Sequence, residues 1–372
     1  MKRLFIVVLA CVATVVGVYA QGQTATLQQG DVLTPFYGAD AFKDAYAAAK
    51  AGAVITLSSG EFNALSSGVA KQISIIGNGC VDTESTSSTQ ISELSIKASN
   101  LRIEGIKFSM VTIDANISDL HLNHCYIKEL KVSGSFTHKN TVIDQCYLEK
   151  DWIIPQSENS CYKNTFIEFF FSRVSNEIIY YDDTTHPAYF CNCLIYCWAY
   201  WEKNGSKTKY SLRQPVGIYK NCILGTSYMY EQGPVSFGEW NRATQNSPNL
   251  YEYYNNVWFR YTLPHNEMSE HEEYKTIELS YCSEVLDETQ THKGGVLSTW
   301  AELFDEDATN WWEWIKADIP FKGDDGKVVG PYGGTGFSIN PSVPRIVESK
   351  IDSNTDADGK LNVRIKVEAS GN

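Results

Sequence analysis

Basic residues are scarce in this chain of 372 residues. It has 31 Lys and Arg against 44 Asp and Glu, which gives a formal net charge of −13. Lys2 and Arg3 lie in a segment predicted below to be removed, which leaves 29 basic residues and a net charge of −15. Nucleic acids and anionic membranes require basic patches, so this charge argues against both as partners. Apolar residues still make up 43% of the chain, which argues against intrinsic disorder.

Long apolar runs are missing after residue 20, so the sequence predicts no transmembrane helix, which needs about 18 apolar residues. At the N-terminus, Lys2 and Arg3 precede the apolar run 4–18, and Val18-Tyr19-Ala20 fits a signal-peptidase site. We therefore predict export to the periplasm, the cell surface or the medium, with residues 1–20 removed. The alternative is lipid anchoring at Cys11, because Val8-Leu9-Ala10-Cys11 resembles an acylation box.

Ten cysteines in an exported chain ordinarily indicate disulfides, but removal of Cys11 leaves nine, an odd number. The cysteine positions are more informative, because four of them fall in a short recurring pattern. The pattern runs from an apolar residue through polar residues to a small residue or Cys, and then to a bulky apolar residue. Its aligned centres are residues 106, 125, 146, 165, 193, 222 and 257, with initial spacings of 19, 21 and 19 residues.

A period near 20 residues, in segments rich in β-branched and aromatic residues, predicts a parallel β-solenoid with one coil per copy. The centre positions would point inward and stack along the axis. Four of them would form a ladder of small apolar side chains, namely Cys125, Cys146, Cys193 and Cys222. Polar residues at the bend can adopt the left-handed conformation and bond their counterparts in adjacent coils, namely Asn164, Asn192, Asn221 and Asn256.

This arrangement favours buried free thiols, because parallel strands about 4.8 Å apart do not suit disulfide geometry. One alternative is at least one disulfide, for which Cys191 and Cys197 are the candidates. Another is a zinc site of Cys191, Cys193 and Cys197, although a C-x-C spacing without a following His is poor for zinc.

The segments that flank the repeats differ from them in pattern. An Ala-rich helix over 39–50, with Phe42 on its apolar face, would cap the N-terminal end of the stack. Near the C-terminus a helix is predicted over 298–304, and the alternating segments 345–351 and 361–367 predict a hairpin. The predicted units are a signal peptide (1–20), a solenoid with its N-terminal cap (21–293) and a C-terminal appendage (294–372).

The segment from Phe42 to Gly77 places a helix and two strands in a recognisable order. Its marked residues are Phe42, Ala45, Ala48, Gly52, Ile55-Thr56-Leu57, Gly60-Glu61-Phe62 and Ile73-Ser74-Ile75-Ile76-Gly77. This segment resembles the entry of pectate-lyase-like proteins, and the coils resemble theirs over about 35–265. The resemblance implies an all-β fold: a right-handed single-stranded parallel β-helix with an N-terminal helical cap and a C-terminal appendage of a helix and a hairpin.

The resemblance implies no single activity, because the superfamily includes lyases, hydrolases, esterases, adhesins and binding proteins. The stretch 331–346 and the C-terminal tail resemble the ends of secreted bacterial β-helix proteins found with glycan-utilisation systems. This second resemblance implies a role in contact with polysaccharide.

Aromatic residues concentrate between 196 and 261, where 16 of 66 residues are Phe, Trp or Tyr, against 13% overall. The segments 197–217 and 225–250 lengthen two coils and are predicted to project as loops. Exposed rings can stack on the apolar faces of sugars, whereas the competing interpretation is that these rings pack the loops against the solenoid. The predicted carbohydrate-binding residues are Trp198, Tyr200, Trp201, Tyr210 and Trp240.

Catalysis is the weaker interpretation, because no motif of active pectate or chondroitin lyases is present. β-Elimination on a uronate polymer needs a base and a cation that neutralises the carboxylate. Candidates in the aromatic region are Arg213, Lys220, Tyr230, Arg242 and Arg260. Hydrolysis needs two acids about 5–9 Å apart. The suggestive groups are Asp182 and Asp183 with His186, and Glu231 with Glu239.

One motif near the C-terminus resembles a metal loop. Asn354, Asp356 and Asp358, followed by Gly359, match the start of a calcium loop. The twelfth position is Ile365 instead of Glu, and a turn between two strands explains Asp358-Gly359 without metal. The sequence therefore predicts no cofactor, with calcium as the alternative.

These patterns predict a secreted or surface-exposed β-helix protein that contacts polysaccharide as a glycan-binding or structural module. The alternative functions are a polysaccharide lyase acting on uronate-containing glycans and a glycoside hydrolase.

Overall fold

A computed structural model gives the fold of most of the chain. The residues it describes are 22–83, 87–149, 157–171, 188–199, 217–227, 251–261, 291–298, 303–305, 307–316, 318–341, 345–355 and 361–368. The predicted signal peptide, including Cys11, lies outside these residues.

The described chain is almost entirely β-structure. The first strands are β1 (Thr24–Gln29), β2 (Val32–Tyr37), β3 (Val54–Leu57), β4 (Gly60–Phe62), β5 (Ser74–Ile76), β6 (Thr89–Ile96), β7 (Leu101–Glu104) and β8 (Lys107–Ile113). The next are β9 (Ile117–Ser118), β10 (Leu120–Asn123), β11 (Tyr126–Ile127), β12 (Leu130–Val132), β13 (His138–Lys139), β14 (Val142–Asp144), β15 (Tyr147–Leu148), β16 (Ser157–Glu158), β17 (Cys161–Lys163) and β18 (Phe166–Phe171). The last are β19 (Ala188–Cys191), β20 (Leu194–Ala199), β21 (Gly217–Lys220), β22 (Ile223–Ser227), β23 (Tyr251–Tyr261), β24 (Thr291–Ser298), β25 (Arg345–Thr355) and β26 (Leu361–Glu368).

One large sheet contains 21 of these strands, and most of its pairs are parallel. The exceptions are at the N-terminus, where β1 pairs antiparallel with both β2 and β3. Three short strands, β9, β13 and β16, form a second parallel sheet, and β25 pairs antiparallel with β26. The prediction of an all-β protein rich in parallel strands is therefore confirmed.

The predicted N-terminal helix is present as α1 (Ala41–Ala48). Its buried residues Ala41, Phe42, Ala45 and Tyr46 form one face, and the helix packs on β1, β2 and β3. The β1–β2 hairpin before it was not predicted from the sequence, because Thr24–Gln29 carries few apolar residues. Of the predicted helix over 298–304, Leu303 is helical, Ser298 ends β24 and Phe304 bridges Ile315, while 299–302 lie outside the described residues. A 3-10 helix, Trp311–Glu313, follows.

Each copy of the central repeat has one strand before a bend and one strand after it. Both strands pair in register with the matching strands of the next copy. Strands before the bend pair in parallel as β7, β10, β14, β17, β19 and β21, and strands after it as β8, β11, β15, β18, β20 and β22. One residue between the two strands of each copy has a positive φ, as does Asn255 within β23. The φ values are 46–67°, and these seven residues form the first bend column. Its members are Gly105, His124, Gln145, Asn164, Asn192, Asn221 and Asn255.

The final copy of the repeat is aligned one residue away from the predicted position. Ile223 pairs with Val257, so Asn255 occupies the left-handed bend and Asn256 occupies the inward position that follows it. The predicted bend residue Asn256 and the predicted centre 257 are therefore wrong by one position. Two consecutive Asn residues made the two alignments equivalent in sequence.

The residues that follow each bend point inward and form a column. Their side chains both pack in the core and make hydrogen bonds. The thiols of Cys125, Cys146, Cys193 and Cys222 are buried and free, and each donates to the carbonyl two residues earlier at 3.2–3.3 Å. Thr165 does the same with its hydroxyl at 2.6 Å. The amide of Asn256 donates to Tyr219 O and its carbonyl accepts from Cys222 N. The residues in this column therefore satisfy backbone groups that each bend exposes.

Free thiols in this column lead to a measurable prediction. Seven described cysteines are free, and burial raises the pKa of Cys146 and Cys193 above the usual thiol range. Since the thiolate is the reactive form, we expect these thiols to resist Ellman's reagent in the native protein. After denaturation without reductant, at least seven thiols per chain should react. A smaller number would show that some of these residues form disulfides.

A second left-handed column was not predicted. Asn100, Asp119, Asn140 and Asn159 have φ of 52–58° and lie near the second sheet. The Asn140 amide donates to Asp119 at 3.2 Å, and that of Asn159 reaches Asn140 at 3.5 Å. The Asn side-chain contacts expected between neighbouring repeats at the first bend thus occur here. The signal was available, because these residues are spaced 19, 21 and 19 apart, as the first centres of the repeat are.

The outer face after the bend is covered by a C-terminal segment. The outer row of Tyr147, Phe166, Leu194, Ile223 and Val257 is buried, and it forms a second core with the described residues of 303–337. We call residues 303–341 the strap. Trp311 is central to this contact, with ring centroids 4.3 Å from Tyr147 and 5.3 Å from Phe166.

The strap also bonds the first bend column along much of its length. Asn164 donates to the carbonyls of Pro331 and Gly333 at 2.9 and 2.6 Å, and its carbonyl accepts from Thr335. Asn221 donates to Asp324 at 2.9 Å. Further along, Ser338 N donates to Gln145, and Pro341 lies against Gly105. The strap therefore crosses the strands in the direction opposite to their order in the sequence.

Candidate functional site

Most of the predicted site residues lie outside the described residues. Tyr200, Trp201, Tyr210, Arg213, Tyr230, Trp240 and Arg242 belong to this group, together with Asp182, Asp183, His186, Glu231, Glu239, Asp356 and Asp358. Trp198, Arg260 and Asn354 lie in β20, β23 and β25, where only the backbone is described. Their roles stay predictions.

Lys220 is the one predicted catalytic candidate whose side chain is described. Its ammonium lies 2.7 Å from the carboxylate of Asp324 in the strap, and Asp324 also accepts from Asn221. The hydrogen bond to Asp324 raises the pKa of Lys220, and the bond from Lys220 lowers the pKa of Asp324. This pairing keeps Lys220 protonated and attaches it to the strap. Lys220 could therefore serve as the cation of an elimination reaction but not as its base.

The strands that lead to the aromatic segments end side by side. Phe171 pairs with Ala199 at the ends of β18 and β20, and Ser227 pairs with Tyr261 at the ends of β22 and β23. The chain returns at Ala188, Gly217 and Tyr251, which are again neighbours. The connecting segments 172–187, 200–216, 228–250 and 262–290 therefore start from one edge of the sheet. Four of the five predicted carbohydrate-binding residues belong to two of these segments.

A buried polar cluster lies at the other end of the first bend column. Glu104 is fully buried at the end of β7, and its carboxylate lies 2.5 Å from the Arg102 guanidinium. At the bend after β10, His124 is 2% exposed, and its Nδ1 lies 3.9 Å from Glu104 Oε1. Gln145, which follows His124 in the first bend column, accepts from Ser338 of the strap. The cluster thus links two strands to the strap.

Two further acceptors continue this cluster along the sheet. Asn123 and Asp144 are paired neighbours in β10 and β14, and the Oδ1 atoms of both are buried without a hydrogen-bond partner. Burial raises the pKa of the Asp144 carboxyl, while Lys163 in the next strand lowers it. The sequence reading missed Glu104, Asn123 and Asp144, with His124 at the bend between them. The signal is the same spacing of 19 and 21 residues, applied to Glu104, Asn123 and Asp144, which immediately precede the bends.

The cluster gives the protein a specific pH dependence. Burial lowers the pKa of His124 below its usual 6.5, so the folded protein holds it neutral where the unfolded chain binds a proton. Stability from this residue is therefore lost as pH falls below about 6.5. We expect His124→Asn, which suits the left-handed bend, to flatten the decline of the melting temperature between about pH 7 and pH 5. An unchanged slope would show that His124 does not titrate in this way.

No metal site or membrane span appears in the part of the chain that the structure describes. Within it, no group of three or more His, Cys, Asp and Glu residues is arranged to hold a metal ion. No helix there is long and apolar enough to cross a bilayer. Cys191 and Cys193 are free, whereas the side chain of Cys197 lies outside the described residues.

Comparison with protein-family models, curated proteins and solved structures gave no match for this chain. The structure by itself shows an all-β fold with one large, mostly parallel sheet.

Proposed function

We propose that this protein is an exported right-handed parallel β-helix of the pectate-lyase-like type, which binds polysaccharide without cleaving it. The fold part of the proposal is supported by the in-register parallel pairing at intervals near 20 residues. It is also supported by the left-handed residue at each bend and by the continuous inward column. One turn of chain per strand pair is the simplest path that satisfies these contacts.

The observation that carries the binding proposal is the shared edge from which the long segments start. Segments 200–216 and 228–250 contain Tyr200, Trp201, Tyr210 and Trp240, and Trp198 lies in β20 close to that edge. Aromatic rings stack on the apolar faces of sugars, while neighbouring polar groups bond the hydroxyls. Insertions that share one face of a repeat protein commonly form its binding surface. A polysaccharide lying across several strands would contact more than one insertion.

Affinity electrophoresis tests this proposal. The mature chain, residues 21–372, should be retarded in native gels that contain its target polysaccharide. A variant with Trp198→Ala, Trp201→Ala and Trp240→Ala should lose most of the retardation while keeping its mobility in a glycan-free gel. Unchanged retardation in the triple variant would remove these rings from the binding surface. Unsaturated product absorbing in the ultraviolet would instead favour the lyase.

A further inference from the structure

Three aromatic rings form a contiguous surface where the strap meets the first strands of the outer row. Trp311 lies 6.2 Å from the Tyr126 ring, between ring centroids, and 5.3 Å from Trp312. The planes of the two indoles are nearly perpendicular, at 89°. All three residues are half-buried, so each ring retains an accessible part. We call Tyr126, Trp311 and Trp312 the strap platform.

Polar groups border these rings. The Lys107 ammonium lies 5.6 Å from the centre of the Tyr126 ring, and the Tyr126 hydroxyl donates to the Glu149 carboxylate at 3.0 Å. On the strap side, Asn310 donates to the Glu313 carboxylate at 3.0 Å. The border thus offers carboxylate acceptors and ammonium and amide donors within reach of the rings. Rings bordered by such groups suit a ligand with an apolar face and hydroxyls at its edge.

We propose that the strap platform is a second carbohydrate-contact surface that takes a segment of neutral polysaccharide. This inference rests on the proposed function and extends it to residues outside the aromatic insertions. A pyranose ring has an apolar C–H face that can lie on Trp312. The Tyr126 ring is stacked on Tyr147, with centroids 5.0 Å apart, and Lys107 lies on its other side, so Tyr126 would meet the sugar with its edge. Its hydroxyls can donate to Glu149 and Glu313 and accept from Lys107 and Asn310.

Charge favours a neutral polymer over an acidic one. The border contains two carboxylates, Glu149 and Glu313, against the single ammonium of Lys107. The chain as a whole carries −13. A uronate polymer would be repelled both by the two carboxylates at the border and by the net charge of the chain. A neutral polymer would not be repelled by either. A protein partner would need a much larger apolar area than these three half-buried rings supply, because stable interfaces bury about 800 Å² per partner.

The position of the strap platform fits one long ligand. Tyr126 lies in β11, the second strand of the series after the bend, and β18, β20 and β22 of the same series lead to the aromatic segments. Neighbouring strands are about 4.8 Å apart, so β11 and β22 are separated by about 19 Å. A polymer spanning several sugar units could contact the strap platform and the insertions together.

Isothermal titration calorimetry on the mature chain tests the inference. The probes are soluble neutral polysaccharides (a β-glucan, a xylan and a galactomannan), with polygalacturonate as the acidic comparison. Trp312→Ala should weaken binding of the neutral polymer by about fivefold or more, which corresponds to about 1 kcal/mol. Trp312→Phe should retain part of the affinity. The matched control is Tyr37→Ala on β2, which removes the ring of a residue that is 73% exposed. The Tyr37→Ala variant should bind the polymer with wild-type affinity.

The outcomes separate the two proposals. Wild-type affinity in Trp312→Ala, with binding abolished in the triple insertion variant, would overturn the strap platform and leave the proposed function intact. Absence of binding by the wild-type chain would overturn both. Equal losses in Trp312→Ala and Tyr37→Ala would also overturn the strap platform, because the effect would not be specific to it. Thermal melting of each variant confirms that the fold is retained.

Discussion

Replacement of Trp311 with alanine is expected to destabilise the protein by about 3 kcal/mol. The indole contacts Tyr126, Tyr147, Phe166 and Phe337, with centroid distances of 4.3–6.2 Å, and it connects the outer row to the strap. Its removal leaves a cavity between these rings that the backbone of the strands cannot close. The measurement is the thermal midpoint, which should fall by at least about 5 °C.

The adjacent Trp312 provides the matched control for this prediction. Trp312 contacts Trp311 edge-on, and it is not among the described residues that form or pack against the second core. Trp312→Ala should therefore lower the midpoint much less than Trp311→Ala. Limited proteolysis adds a local measurement, because release of the strap should let its backbone enter the trypsin active site and speed cleavage after Lys316, Lys322 and Lys327 in Trp311→Ala. Equal midpoints for the two variants would contradict the role assigned to Trp311.

Asn164→Ala is expected to lower the free energy of unfolding by about 3 kcal/mol, mostly because polar groups are left without partners. The side chain makes three hydrogen bonds to the strap, and two of them satisfy the carbonyls of Pro331 and Gly333. The residue also holds a φ of 46°, which alanine adopts at a cost of about 1–2 kcal/mol. Chemical denaturation followed by circular dichroism gives the change in the free energy of unfolding.

Asn140 separates the backbone effect from the hydrogen bonds. It has a similar φ of 52° but is exposed, and its amide bonds Asp119 at 3.2 Å. Asn140→Ala should therefore cost only about 1 kcal/mol. Asn164→Gly should fall between the two alanine variants, since glycine accepts the bend but still loses the three bonds. If Asn164→Ala and Asn140→Ala destabilise equally, the strap contacts contribute little.

The period of the repeat was readable from sequence because it is carried by side chains with distinct roles. Cys125 and Cys146 point inward, His124 and Gln145 occupy the bend, and the apolar residues around them alternate. The alignment failed at Asn255-Asn256, where identical residues left two registers open and only strand pairing distinguishes them. Local pattern therefore predicts the strands well and their exact register less well.

The strap could not be predicted, because its contacts join positions more than 100 residues apart. Asn221 meets Asp324, and Asn164 meets Thr335, without any local periodicity that relates them. The sequence reading treated residues after 294 as an appendage. In the structure, the apolar outer row from Tyr147 to Val257 requires a cover, and Trp311, Tyr332 and Phe337 provide part of it. The outward row of rings and aliphatic side chains indicates that some segment covers it, but it does not indicate which segment.

The chemistry of the inner column also differed from expectation. The cysteines were predicted as small apolar packing groups, whereas their thiols donate to bend carbonyls in the same way as the Thr165 hydroxyl. The predicted binding rings, in contrast, stay predictions. Trp201 and Trp240 lie outside the described residues, so only the shared edge of their segments supports them.

The central claim is that this protein binds polysaccharide, and the mobility of the mature wild-type chain tests it most directly. The chain is run in native gels containing a panel of neutral and uronate polysaccharides, beside an acidic protein of similar size that binds no glycan. We predict retardation by at least one neutral polysaccharide, with the polymer recovered uncleaved. Mobility equal to that of the reference protein in every gel would contradict the claim.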